Sequence, residues 1–135
     1  MSLLADTSGL LVLLDADHAL HPQARTLAQA ESIIVPSTVL AEVDFMVTRR
    51  LGAKTAHAFL EDIIMGSYDF LQVELTDLTR TEEVMRQYED AEIGLVDASL
   101  VALAERYKLR RVLTLDKRHF GMFRPKGLEY LELLP

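Results

Sequence analysis

Four acidic residues occupy positions where a carboxylate is costly. Asp6 is the single charge in the apolar stretch LLADTSGLLVLL, residues 3–14. Asp97 lies in GLVDASLVALAERY, with Ile93, Leu100 and Val101 at helical spacings that share its face. Glu42 has Phe45 and Met46 as its helical neighbours in TVLAEVDFMVTRRL, which predicts it on an apolar side, and Asp116 follows the run RRVLTL. Singly, each has an ordinary use: a helix cap, an acid in a first helical turn, an ion-pair partner, a turn residue. Together they raise a charge problem, because carboxylates brought within a few ångströms cannot all stay ionised without protons or positive charge. No matching set of buried lysines or arginines is evident near them in the sequence. A hard divalent cation, Mg²⁺ or Mn²⁺, bound by oxygen ligands is the simplest neutraliser.

Whether the four acids meet depends on the elements that carry them. Ser2 to Ala5 reads as a strand, with Thr7 or Ser8 as the cap of a helix starting near Gly9. HPQARTLAQAES predicts an amphipathic helix opened by Pro22, and IIVP a second buried strand. Ser37 is placed to cap the helix that carries Glu42, which Gly52 stops, and a further helix runs from about Ala53 to Met65. YDFLQVEL alternates as a third strand, TDLTRTEEVMRQYEDAE follows as a helix, and LVDASLVALAERY is apolar enough to be a buried one. RRVLTL and LEYLELL give a fourth and fifth strand, joined by the charged, glycine-containing segment DKRHFGMFRPKG. Strands alternating with helices make an α/β domain with a mainly parallel sheet. In such sheets, ligands gather outside the carboxyl ends of the strands where the winding reverses. If the first and fourth strands are neighbours, Asp6 and Asp116 converge on one crevice.

Composition narrows the classes. The 135 residues suit a single domain spanning 1–135, half of them hydrophobic and 26% charged, as in a globular chain. Without cysteine there are no thiolate metal sites, disulfides or cysteine nucleophiles, which fits a reducing, cytoplasmic setting. No apolar run approaches the roughly 20 residues of a membrane helix, and no basic residue precedes Arg25, so neither a signal peptide nor an anchor is expected. The net charge of −7 is unlike that of most phosphate-binding proteins. Its distribution is segregated, however: Arg106, Lys108, Arg110, Arg111, Lys117, Arg118, Arg124 and Lys126 cluster near the C-terminus with Asp116 as the one acid among them.

LLADTSGLL, VPSTVLAEVDFM, GLVDASLVALAERY and VLTLDKRHF, in this order and at these spacings, resemble the PIN-domain nucleases, specifically the small VapC toxins of prokaryotic toxin–antitoxin pairs. The resemblance covers essentially the whole chain. It implies a three-layer α/β/α fold with a five-stranded sheet in the order 3-2-1-4-5, which sets strands one and four side by side. It further implies that Asp6, Glu42, Asp97 and Asp116 bind one or two Mg²⁺ or Mn²⁺ ions at which RNA is cut, with Ser8 and Thr114 assisting. Arg110, Arg111, Lys117, Arg118 and Arg124 would then hold the flanking phosphates. A homodimer and a cognate VapB-type antitoxin are the partners implied, with no membrane. His18, His21, His57 and His119 are not needed for such a site and read as structural or solvated, His119 being the one candidate for an RNA contact.

Other phosphate chemistries fail at named residues. A receiver domain needs an acidic pair at the first strand, a haloacid-dehalogenase-type phosphatase needs an acid at position 8, which is Ser, and a nucleotide-binding loop needs more glycine than Gly9 alone. The remaining alternative is a PIN fold kept as an inert RNA- or partner-binding module.

Overall fold

The computed structural model describes residues 1–135. Five strands, β1 (Ser2–Ala5), β2 (Ser32–Pro36), β3 (Asp69–Leu71), β4 (Arg111–Leu113) and β5 (Glu132–Leu134), form one sheet in the order β3-β2-β1-β4-β5. Every neighbouring pair is parallel, with Leu4 facing Ile34 of β2 on one side and Val112 of β4 on the other. Successive residues of a strand point to opposite faces, and Leu3, Leu4 and Ala5 are all fully buried. Both faces of the central strand are therefore covered by helices, the condition for an all-parallel sheet.

The helices are α1 (Thr7–Leu14), α2 (His21–Ala30), α3 (Leu40–Leu51), α4 (Ala53–Ile64), α5 (Leu75–Gln87), α6 (Leu95–Tyr107) and α7 (Lys117–Met122). α6 is the most deeply set, buried without interruption from Ala98 to Glu105, as its apolar sequence predicts. Glu105 is an acid in this buried run, and the protein compensates it internally. Arg80 of α5 donates to both carboxylate oxygens, at 2.7 and 3.0 Å, and the Lys126 backbone N–H donates at 2.8 Å.

Local chemistry corrects several sequence expectations. The cap of α1 is Asp6, whose carboxylate accepts from Gly9 N–H, so Thr7 and Ser8 lie inside the helix. Ser37 does not cap α3. It opens a short 3₁₀ turn over Ser37–Val39, and its Oγ accepts instead from Val73 N–H at 2.9 Å. That bond also explains why the third strand stops at Leu71 rather than running to Leu75: the Val73 amide is diverted from the sheet, and Glu74 N–H donates to Asp77 as α5 begins. The fourth and fifth strands are likewise three residues each. The segment after Asp116 contains a helix, α7, because the Asp116 side chain caps it by accepting from His119 N–H at 3.0 Å.

Candidate active site

Asp6, Ser8, Glu42, Asp97 and Asp116, with Thr7, Leu11 and Met46, line one open pocket of about 230 Å³ at the carboxyl ends of β1 and β4. The four acids come from four places in the chain: the β1–α1 junction, α3, α6 and the β4–α7 junction. The sheet order sets β1 against β4, and Asp6 N–H donates to the Leu113 carbonyl at 3.1 Å, continuing that pairing beyond the strand end.

Asp6 is the fixed member. It is 3% exposed, and each carboxylate oxygen is held. Oδ1 accepts from Ser8 Oγ at 2.8 Å and from Gly9 N–H at 2.7 Å, while Oδ2 accepts from Thr114 Oγ1 at 2.5 Å. The two hydroxyls are themselves anchored: Ser8 Oγ accepts from Leu115 N–H and Thr114 Oγ1 from Asp116 N–H, both at 2.9 Å. Ser8 and Thr114 thus tie the end of β1 to the end of β4 through one carboxylate. Burial pushes the Asp6 carboxyl above its ordinary value, and the bonds from Thr114, Gly9 and Ser8 oppose that rise.

Asp97 has no such support. Its carboxyl is pushed up to about 6, by burial first and then by the negative charges of Asp6 and Asp116, with His119 opposing and Glu42 adding to the rise. The acids therefore feel one another as a group. Asp97, Asp116 and His119 are the tightest set, each offering a ligand atom within 4.8 Å of the other two. Asp6 and Glu42 line the same pocket outside this trio.

Two expectations are altered. Glu42 is exposed: Val43 and Val47 form the buried face of α3, and Phe45, one of the supposed apolar neighbours, is 61% exposed. Glu42 stands at the rim of the pocket with Met46. His119, read from sequence as dispensable, holds both oxygens of Asp116, with its backbone N–H 3.0 Å from Oδ1 and its Nδ1 2.9 Å from Oδ2. The signal was the three-residue spacing from Asp116, that of a cap and the residue it bonds.

The basic cluster does not surround the pocket. Arg111 opens β4 at the opposite end of the sheet, ion-paired with Glu31 and Glu132, while Arg110 stacks on Tyr130. Arg106 pairs with Asp77 and Glu74. Lys117 and Arg118 belong to α7, beside Asp116. Arg110 and Arg111 are thus removed from the residues placed to hold phosphates next to the acids.

The PIN domain family matches residues 3–123. Ribonuclease VapC26 of Mycobacterium tuberculosis is 33% identical over 136 residues, covering 98% of this chain and all of the relative. Among solved structures, VapC20 of Mycobacterium tuberculosis, described as a Sarcin-Ricin loop cleaving toxin, has a TM-score of 0.82 at 21% identity, covering 98% of this chain and 99% of that one. VapBC2 from Rickettsia felis, crystallised with a DNA fragment from its promoter, has a TM-score of 0.72 at 17% identity over the full length of both chains. At these identities the two structures speak for the fold.

Proposed function

Because the chain belongs to the PIN-domain family, we propose that it is a VapC-type toxin, an endoribonuclease that hydrolyses RNA phosphodiester bonds with Mg²⁺ or Mn²⁺ held by Asp6, Glu42, Asp97 and Asp116. The observation that carries this reading is the convergence of those four carboxylates on one pocket.

The residues fit a divalent cation by their chemistry. The donors are carboxylate oxygens, the ligands that hard cations take. Asp97 is pushed up to about 6 by burial and then by the negative charges of Asp6 and Asp116. Thr7, in the same wall, has a buried hydroxyl with no hydrogen-bond partner. Bound there, the cation supplies charge neutralisation, polarisation of the phosphoryl group and a lowered pKa for attacking water.

The protein's own groups do the rest. Asp6 is immobilised by three hydrogen bonds and presents the remaining lone pair of Oδ2 toward the site. Ser8 and Thr114 act through it as positioning residues, and His119 does the same for Asp116. Glu42, exposed at the rim, helps hold the cation or takes a proton from water.

A VapB-type antitoxin is the partner supported by the VapBC complex among the structural relatives. The groove between α3 and α4, lined by Leu40, Ala41, Ala56, Phe59 and Leu60, supports a protein-binding face, with Ile64 and Met65 exposed farther along α4. A homodimer belongs to the same reading.

The test is cleavage of a panel of structured RNAs, a sarcin–ricin loop among them, with Mg²⁺, with Mn²⁺ and with EDTA, beside Asp6→Asn and Asp97→Asn. Cutting is expected only with metal and only in the wild type. Metal-independent cutting, or full activity in both variants, overturns the mechanism.

A further inference from the structure

A second cleft, of about 360 Å³, opens beside the carboxylate pocket, lined by Asp90, Ala91, Glu92, Arg118, His119 and Met122. His119 links the two. It lines this cleft while bonded to Asp116 of the carboxylate pocket, so whatever occupies the cleft lies one side chain from the reacting phosphate.

The cations after β4 are not equivalent. Lys117 Nζ donates to the Pro135 carbonyl at 3.0 Å, and Arg124 donates to the carbonyls of Gly121, Met122 and Phe123. Arg118 has neither an ion pair nor a hydrogen bond and is exposed. An uncommitted guanidinium, with five donors in a planar fork, is suited to a phosphate group.

His119 offers a different function. Its Nδ1 is engaged by Asp116, which leaves the other ring nitrogen, Nε2, without a partner. The group that RNA has and DNA lacks is the ribose 2′-hydroxyl, both donor and acceptor, which can bond a ring nitrogen of either kind. Across the cleft, Asp90 and Glu92 offer acceptors to base N–H groups and repel a second phosphate, and Met122 supplies apolar surface.

We propose that this cleft is a ribonucleotide subsite adjoining the scissile phosphate, in which Arg118 holds phosphate and His119 Nε2 bonds the 2′-hydroxyl. The chain then reads the sugar as well as the backbone. This rests on the ribonuclease reading above and deepens it.

The experiment titrates the full ¹⁵N-labelled chain, in Mg²⁺, with AMP, CMP, GMP and UMP and with their 2′-deoxy counterparts, following backbone amide and histidine ring resonances. Shifts are expected at Asp90–Glu92 and Arg118–Met122. Deoxynucleotides should bind about three- to tenfold more weakly, the worth of one net hydrogen bond. Arg118→Ala should weaken both series alike, and His119→Phe should remove the difference between them. The ribo–deoxy comparison on the wild-type chain needs no variant to fold. Equal affinities, shifts confined to the pocket of Asp6 and Asp97, no measurable binding, or a His119 ring that responds to Mg²⁺ alone each overturn the proposal. Nucleotide binding in the cleft without metal-dependent RNA cleavage would instead sink the ribonuclease reading and leave the subsite standing.

Discussion

Gly9 of α1 lies against the backbone of Leu113 at the end of β4: a Cβ added to Gly9 would sit 2.2 Å from the Leu113 carbonyl oxygen and 2.7 Å from its carbonyl carbon. The same carbonyl accepts from Asp6 N–H, and the Gly9 amide donates to the Asp6 carboxylate. One hydrogen in place of a methyl group thus lets the helix that follows Asp6 come down onto the strand that leads to Asp116. Gly9→Ala should force α1 away from β4, at a cost of about 3 kcal/mol. Urea denaturation measures the loss, and RNA cleavage should fall further than the unfolded fraction explains, because Asp6 moves with the helix. Wild-type stability in Gly9→Ala would show that the contact yields easily.

Thr114 and Ser8 both donate to Asp6 but from different surroundings. Thr114 is fully buried and Ser8 only partly so. Thr114→Val keeps the shape and leaves Asp6 Oδ2 and Asp116 N–H without their partner. The expected loss is about 2–3 kcal/mol, the worth of a buried hydrogen bond to a charge. Ser8→Ala, with water within reach, should lose about 1 kcal/mol. Thr114→Ser should restore most of both stability and cleavage, and equal losses in Ser8→Ala and Thr114→Val would contradict this ranking by burial.

Asp97 gives the metal-free protein a pH signature. Its carboxyl is raised from 3.8 to about 6 in the fold, so the folded state holds the proton more tightly than the unfolded state. The stability this proton contributes is fully present below about pH 4 and is lost as pH rises through about 6. Wild type minus Asp97→Asn isolates the effect from the other acids. In EDTA, Asp97→Asn should overtake the wild type as pH rises through 5–7, by about 1–2 kcal/mol after allowing for solvent screening of a half-buried group. A difference that does not change between pH 4 and 8 would mean that the burial of Asp97 and its crowding by Asp6 and Asp116 are absent in solution.

Metal should reverse that order. A cation bound by the folded state alone stabilises it by about 2.7 kcal/mol at one hundred times its Kd. For a chain of this length that is a rise in Tm of roughly 8 °C. Calorimetry with Mn²⁺ should show this rise in the wild type and little of it in Asp97→Asn, so the variant is more stable without metal and less stable with it. A rise equal in both proteins would place the ion elsewhere.

The sequence made the central strands, α6 and the four acids legible because each rests on a local contrast, either an unbroken apolar run or a charge set inside one. What stayed hidden depends on contacts distant in sequence. Ser37 resembles a cap until Val73 N–H, 36 residues on, takes its oxygen. Glu42 resembles a buried acid until Val43 and Val47 prove to be the face that α3 turns inward. His119 acquires a function only because Asp116 caps α7 by accepting from its backbone N–H and also meets its ring. The basic cluster is the largest case. A strand carries the chain from one end of the sheet to the other, so Arg110 and Arg111 at the start of β4 and Lys117 and Arg118 after it are neighbours in sequence and lie at opposite ends in space.

That division predicts two kinds of arginine. Arg111 is largely buried between Glu31 and Glu132, and its removal leaves Glu31, itself largely buried, without its cation. Arg111→Ala should therefore cost about 3 kcal/mol of stability. Its effect on RNA affinity should be small, because it lies at the end of the sheet away from the acids. Arg118 has no partner to lose, so Arg118→Ala should leave stability within about 0.5 kcal/mol of the wild type. It should weaken RNA binding and lower the magnitude of the slope of log affinity against log salt by about 0.7, the contribution of one phosphate contact on a single strand. Fluorescence anisotropy on the Asp6→Asn background, across a salt series, measures both variants without cleavage. If Arg111→Ala changed the salt slope and Arg118→Ala did not, RNA would track the far end of the sheet, and the path of the substrate past α7 would have to be abandoned.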